Sequence, residues 1–241
     1  MARKILAVVN HKGGPGKTTT SVALARHWQR SGRQPLAIDL DPQANLTRIL
    51  GGCVGHNNSI GDVLARRTTI DRATQLGADN IHLVGADIKL EDTSAALQGK
   101  SPNHMFLSNA LRDGAADAGV IVVDCAPAAN ILTINALVAA THVLVVLDPE
   151  LDAIDGMRRI QNMVEWLSDE LGSAPRIVGA VVNKVQPNTV LHRNNLQVIL
   201  HEIESVGVVP YRRGVDAETQ IDSAFDQISM TVWDSMENDN A

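Results

Sequence analysis

The sequence predicts an α/β fold: a twisted, mostly parallel sheet of about seven or eight strands with helices on both faces. Short β-branched runs alternate with segments of helical period along the chain, the pattern of strands joined by crossover helices. Hydrophobic residues make up 44% of the 241 but aromatics only 2%, so the core must be built from Val, Ile, Leu and Ala, as suits strands buried on both faces. The first apolar run also passes through a glycine-rich turn directly into a helical segment.

Taken in order, KILAVV (4–9) is the first expected strand, and the helix after it, 17–30, carries Val22, Ala25 and Trp28 on or near one face. PLAID (35–39) and IHLVG (81–85) follow as strands, then a helix near 104–115 leading into GVIVVD (119–124). A helix near 130–140 connects to HVLVVL (142–147), and a long one near 153–171 to RIVGAVVN (176–183). A last crossover helix near 190–204 returns to VGVVP (206–210). No composition shift, Pro-rich linker or internal repeat divides residues 1–241, which therefore read as one domain, with an acidic tail expected to be flexible from about 231.

Charge and cysteine content narrow the function. The net charge of −6 argues against a protein that coats nucleic acid with its whole surface, yet residues 176–213 carry five Lys or Arg against two Glu. Residues 214–241 carry seven acids and no Lys or Arg. The apolar runs are too short to span a bilayer, and the N-terminal stretch leads straight into the loop, which leaves no signal peptide to expect. Cys53 and Cys125 form no CxxC zinc pattern, so a reducing cytoplasm is the expected home.

The turn HKGGPGKTTT (11–20) has the context of a phosphate-binding loop: strand before, helix after. Gly13, Gly14 and Gly16 let the backbone approach an anion, with amides of Gly13, Gly14, Gly16, Lys17, Thr18 and Thr19 as donors. Lys17 is expected on the terminal phosphates and the Thr18 hydroxyl on Mg²⁺. Pro15 has no N–H to give, so the loop has one donor fewer and less freedom. A second lysine, Lys12, stands before the glycines, where a cation stabilises charge on the leaving oxygens of phosphoryl transfer.

Two further strand ends supply acids. Asp39 and Asp41 in DLDPQANLT lie two residues apart and point the same way in extended chain, and Asp124 closes VIVVD. Carboxylates at the C-terminal ends of parallel strands face the crevice where open α/β sheets bind ligands.

Together, KGGPGKTT, DLDPQANLT and DCAPAANILTINALVAA resemble the deviant Walker-motif P-loop ATPases of the ParA/MinD family, closest to the ParA-type partition and positioning branch, which includes carboxysome-positioning McdA-like proteins. The likeness runs from about residue 3 to 220. It implies a P-loop NTPase fold, ATP and Mg²⁺ as cofactors, and slow, partner- and DNA-stimulated hydrolysis of ATP to ADP and phosphate. It further implies a homodimer in the ATP state, with Lys12 of each subunit reaching the other's phosphates and meeting Glu150 at the interface. By the same resemblance Asp41 positions the attacking water, Asp124 holds Mg²⁺ through water, Asp39 lies near the metal, Asn183 reads adenine and the backbone after Pro210 encloses the base.

Relatives of this kind bind nonspecific double-stranded DNA, which implies nucleoid association in the cytoplasm and a ParB-like or McdB-like cargo adaptor. Lys184, Arg193, Arg212 and Arg213 are the DNA-contact candidates, although VPYRRGVDAE departs from the IPRNVRLSEA common in the branch. DCAP replaces the usual DCPP at Ala126, no operator-binding helix-turn-helix extension is expected, and the acidic MTVWDSMENDNA end is unlike the basic membrane helix of MinD. The competing expectation is a metabolic ATP-dependent enzyme, such as an amidoligase or metal-cluster carrier, on the same fold.

Overall fold

The computed structural model describes residues 3–53, 58–99, 102–115, 117–127, 130–211 and 217–238. Eight strands form one sheet: β1 (Lys4–Val9), β2 (Pro35–Leu40), β3 (Thr74–Leu76), β4 (His82–Val84), β5 (Val120–Cys125), β6 (His142–Leu147), β7 (Arg176–Val185) and β8 (Ser205–Pro210). Their order is β3-β4-β2-β5-β1-β6-β7-β8. Every neighbouring pair is parallel except the edge pair β3 and β4. The seven expected strands are all present, and the eighth, β3, is a three-residue edge piece too short to show a period.

The helices are α1 (Lys17–Arg30), α2 (Asn45–Ile49), α3 (Ile60–Leu64), α4 (Ile70–Ala73), α5 (Leu90–Gln98), α6 (Phe106–Asp113), α7 (Ile131–Ala139), α8 (Asp152–Leu171), α9 (Val190–Glu202) and α10 (Ala217–Glu237). Strand alternation divides the core between the two faces. Ile5, Ala7 and Val9 of β1 point into the larger cluster, with Leu107 of α6, Leu137 of α7, Ile160 of α8 and Ile199 of α9. Leu6 and Val8 point the other way, onto Leu24 and Trp28 of α1 and onto α10.

The C-terminal segment corrects the expectation of a flexible tail. Helix α10 runs through Glu237, and Phe225, Ile228, Val232 and Met236, spaced three or four residues apart, are buried against the sheet. Trp233 packs edge-on against Trp28 with ring centroids 5.8 Å apart, and Arg33 and Lys4 lie over its ring at 4.2 and 5.3 Å. The acids occupy the outer face: Asp226 accepts from Arg30 at 2.7 Å and lies 2.8 Å from Nδ1 of His27, both on α1. Part of the charge asymmetry along the chain is thus matched within the molecule.

Candidate functional site

Five parallel strands, β2, β5, β1, β6 and β7, end side by side along one edge of the sheet, and each delivers polar residues there. In the ladder between β2 and β5, Asp39 stands directly opposite Asp124; Asp124 also pairs with Val8 of β1, two residues before Asn10. Asn10 fixes where the loop begins: its Oδ1 accepts from the Lys12 amide at 2.8 Å and its Nδ2 donates to the carbonyl of Val146 in β6.

Gly14 and Gly16 take φ of 92° and 102°, the left-handed region open to glycine, and they flank Pro15. Alternation of this kind turns successive amides toward a common point. Gly16 is the N-cap of α1, whose first turn has neither a side-chain cap nor an acid. The amides of Lys17, Thr18 and Thr19 have no acceptor within the helix and stand with the positive end of its dipole. That is a place for an anion.

Lys17 is buried, 6% exposed, and its Nζ donates to the Lys12 carbonyl at 3.1 Å. Burial lowers its pKa, against the pull of Asp124, Asp41 and Asp148. Asp124 is fully buried at the centre. Its Oδ1 accepts from Ser21 at 3.1 Å, the Thr18 side chain bonds to it as well, and its Oδ2 has no hydrogen-bond partner. Burial and the nearby Asp39 push its pKa up to about 8. A buried carboxylate oxygen without a donor, beside a threonine hydroxyl and an anion-attracting helix end, is the donor set a hard divalent cation takes.

Asp39 differs from its neighbour. Its Oδ1 accepts from the Asp41 amide at 3.1 Å, and its Oδ2 from the Thr47 amide at 2.9 Å and the Thr47 hydroxyl at 2.7 Å. Burial raises its pKa to about 6 in spite of those three donors. Asp39 therefore ties β2 to α2 and holds the backbone of Asp41; neither of its oxygens is left without a donor in the way Asp124 Oδ2 is. Asp41 itself is 8% exposed and accepts from the Gln43 amide at 2.9 Å.

The second loop lysine faces away from this centre. Lys12 Nζ lies 3.0 Å from Glu150 and also contacts Asp152, at the exposed start of α8, and these carboxylates raise its pKa, Asp152 first. Glu150, expected to meet a lysine across an interface, meets Lys12 of its own chain.

The β7 end holds two further predicted residues. Asn183 donates from Nδ2 to the Pro15 carbonyl at 2.7 Å, and Lys184, expected on DNA, donates from Nζ to the Gly14 carbonyl. Pro210 ends β8 opposite Val185, and the Tyr211 amide donates to the Val185 carbonyl at 2.7 Å. Arg193 lies exposed on α9 and donates to the Pro187 carbonyl at 3.3 Å. Arg212 and Arg213 lie outside the described residues. Gly13 and Thr19 are exposed along the loop and first helical turn.

Sequence reasoning missed Ser21, Thr47 and Asp152. Ser21 was legible, because it lies four residues after Lys17 on the same helix face. Thr47 was not, since nothing in DPQANLT announces that α2 folds back to cap Asp39.

A model of the family described as AAA domain matches residues 3–177. The sporulation initiation inhibitor protein Soj of Bacillus subtilis is 31% identical over 198 residues, covering 81% of this chain and 77% of Soj. The chromosome partitioning protein ParA of Caulobacter vibrioides is 31% identical over 183 residues, 74% of this chain and 68% of its own. Among solved structures, cobyrinic acid a,c-diamide synthase from Mycobacterium smegmatis with bound ATP analog and magnesium matches at a TM-score of 0.85 and 27% identity, covering 95% of this chain and 93% of that one. The McdA–ATP complex from Cyanothece matches at a TM-score of 0.86 and 18% identity over 98% and 96% of the two chains, a likeness of fold. Loop, paired strand-end aspartates and these relatives agree, and the chain belongs to the ParA/MinD-type family of P-loop ATPases.

Proposed function

We propose that this chain is an ATP-hydrolysing molecular switch. It binds Mg–ATP, pairs with a second copy in the ATP state and binds nonspecific double-stranded DNA. With an adaptor protein that stimulates hydrolysis, it partitions or positions a cargo such as a centromere complex or a protein organelle. The phosphates lie on the loop amides and Lys17, and the base lies toward Asn183 and the segment after Pro210. Thr18 and Asp124 hold the Mg²⁺, which when bound neutralises charge on the phosphate oxygens. Asp41, at the rim of the same crevice, positions the attacking water.

The observation that carries this reading is the division of labour between two lysines of one loop. Lys17 is buried at the phosphate position, while the Lys12 ammonium stands at the rim on Glu150 and Asp152, 37% exposed. A cation placed there is free to exchange its carboxylates for the phosphates of a second copy. Solved relatives support the nucleotide, since the M. smegmatis protein holds an ATP analog and magnesium and the Cyanothece protein holds ATP.

Binding of a nonspecific duplex, measured with ATP, with ADP and without nucleotide over a range of salt, tests the switch. The ATP form should bind far more tightly, with affinity falling steeply as salt rises. Binding indifferent to nucleotide, or absent at low salt with ATP, would overturn it. The likeness to a diamide synthase favours a second reading, an ATP-dependent amide-forming enzyme. Phosphate release that needs a carboxylic acid and an amine donor, and ignores DNA, would select that one.

A further inference from the structure

The end of β7 departs from regular strand in a way that brings two consecutive side chains to the phosphate loop. Lys184 has a φ of 58°, a left-handed conformation that a residue with a Cβ adopts at a cost. The ladder to β8 shifts register between Val182 and Val185, and the Lys184 amide turns back to donate to Asn183 Oδ1 at 2.8 Å. In regular strand, neighbouring side chains point to opposite faces. Here the bulge sends Asn183 to the Pro15 carbonyl and Lys184 to the Gly14 carbonyl.

From this geometry we infer that Lys184 is a positioning residue for ATP, forming with Asn183 a clamp that keeps the carbonyls of Gly14 and Pro15 turned away from the phosphates. The peptide between Gly14 and Pro15 has an oxygen but no N–H. Whichever way it rotates, the only polar group it can present to an anion is a repulsive carbonyl. An ammonium on the outer side of the loop holds that carbonyl outward by a charge-assisted bond. The clamp thereby accounts for how a phosphate loop accommodates a proline in its middle. It also gives Lys184, expected on DNA, a partner within its own chain, with Asp148 near enough to feel its charge.

The inference rests on the Mg–ATP reading above, and the experiment separates the two. Binding of a fluorescent ATP analogue with Mg²⁺ is measured for the full chain and for Lys184→Asn, Lys184→Arg and each in a Pro15→Gly background, well below the unfolding temperature. Asparagine tolerates positive φ, so Lys184→Asn keeps the backbone while removing the ammonium and shortening the side chain. It should weaken binding about tenfold, the order of one charge-assisted bond partly transmitted to the ligand. Lys184→Arg should stay within about threefold, since it keeps a charged donor. With Pro15→Gly, Lys184→Asn should lose less than about threefold, because the loop regains an amide at position 15. A simple structural role would not depend on the residue at position 15.

At saturating ATP, Lys184→Asn should leave the salt dependence of DNA binding unchanged, whereas loss of a phosphate contact lowers the slope by about one. Failure of the unmodified chain to bind the analogue would sink the Mg–ATP reading and this one with it. Normal binding by the unmodified chain, with Lys184→Asn within twofold of it, would overturn the clamp alone. So would a lost unit of salt slope at unchanged nucleotide affinity, which would return Lys184 to the DNA.

Discussion

Thr47 gives the sharpest test of how the acids of the site are held. Its hydroxyl donates to Asp39 Oδ2 at 2.7 Å and accepts from the Ala86 amide at 2.9 Å, and the residue is fully buried. Thr47→Val keeps the shape and removes both bonds. A lost hydrogen bond to a charged group costs about 1.5–3 kcal/mol, and a buried amide left without an acceptor about 1–3. The variant should therefore lose roughly 3–5 kcal/mol, a large part of the stability of a domain of this kind. Thr47→Ser keeps the hydroxyl and should lose only about 1 kcal/mol for its methyl. Because Asp39 Oδ1 holds the Asp41 amide, Thr47→Val should also slow ATP turnover more than it weakens ATP binding. Urea unfolding at constant m-value measures the first effect, and phosphate release at saturating ATP the second. A Thr47→Val protein within 1 kcal/mol of the parent, or a Thr47→Ser protein equally damaged, would mean that the Thr47 hydroxyl does not hold Asp39.

Other perturbations have equally definite outcomes. Met236→Ala, at a fully buried position of α10, should cost about 2–5 kcal/mol in urea unfolding; no loss would mean that the C-terminal segment does not pack as described. Burial, with Arg176 and Lys4 nearby, lowers the pKa of His142 from 6.5 to about 4, so the folded state binds fewer protons than the unfolded one between those values. Its contribution is full above pH 6.5 and is lost as pH falls toward 4, at up to about 1.4 kcal/mol per unit. His142→Gln should remove that slope when unfolding is compared at pH 7.5 and 5. Asp41→Ala should cut phosphate release about a hundredfold or more while ATP affinity stays within about threefold; turnover at the parent rate would remove Asp41 from the chemistry.

The sheet was legible because seven strands are short apolar runs, and burial of the central ones on both faces allows little else. Most helices of two turns or more showed through their period, but α5, nine residues long, did not. The other pieces that escaped, α2, α3, α4 and β3, are three to five residues long and complete no repeat. Helix α10 is a different case: Phe225, Ile228, Val232 and Met236 carried the helical spacing, but the acids between them read as a solvated tail. Within the site, residues that act through their backbone context were recognisable from the glycines and strand ends. Residues that act through a tertiary bond were not. Lys184 read as a surface cation until the bulge at the end of β7 placed it on Gly14, and Lys12 showed no sign in sequence of its Asp152 partner.

We propose that ATP, by drawing Lys12 from its own carboxylates to a second copy, changes the oligomeric state. The mass in solution of the Asp41→Ala chain, which should hold ATP without consuming it, measures this by sedimentation equilibrium. Twice the chain mass of 25.8 kDa with Mg–ATP, the single-chain mass with ADP, and the single-chain mass in both when Lys12→Ala is added are the predicted results. A single-chain mass with Mg–ATP at saturating concentration, or a dimer that forms equally well with ADP, would contradict the account.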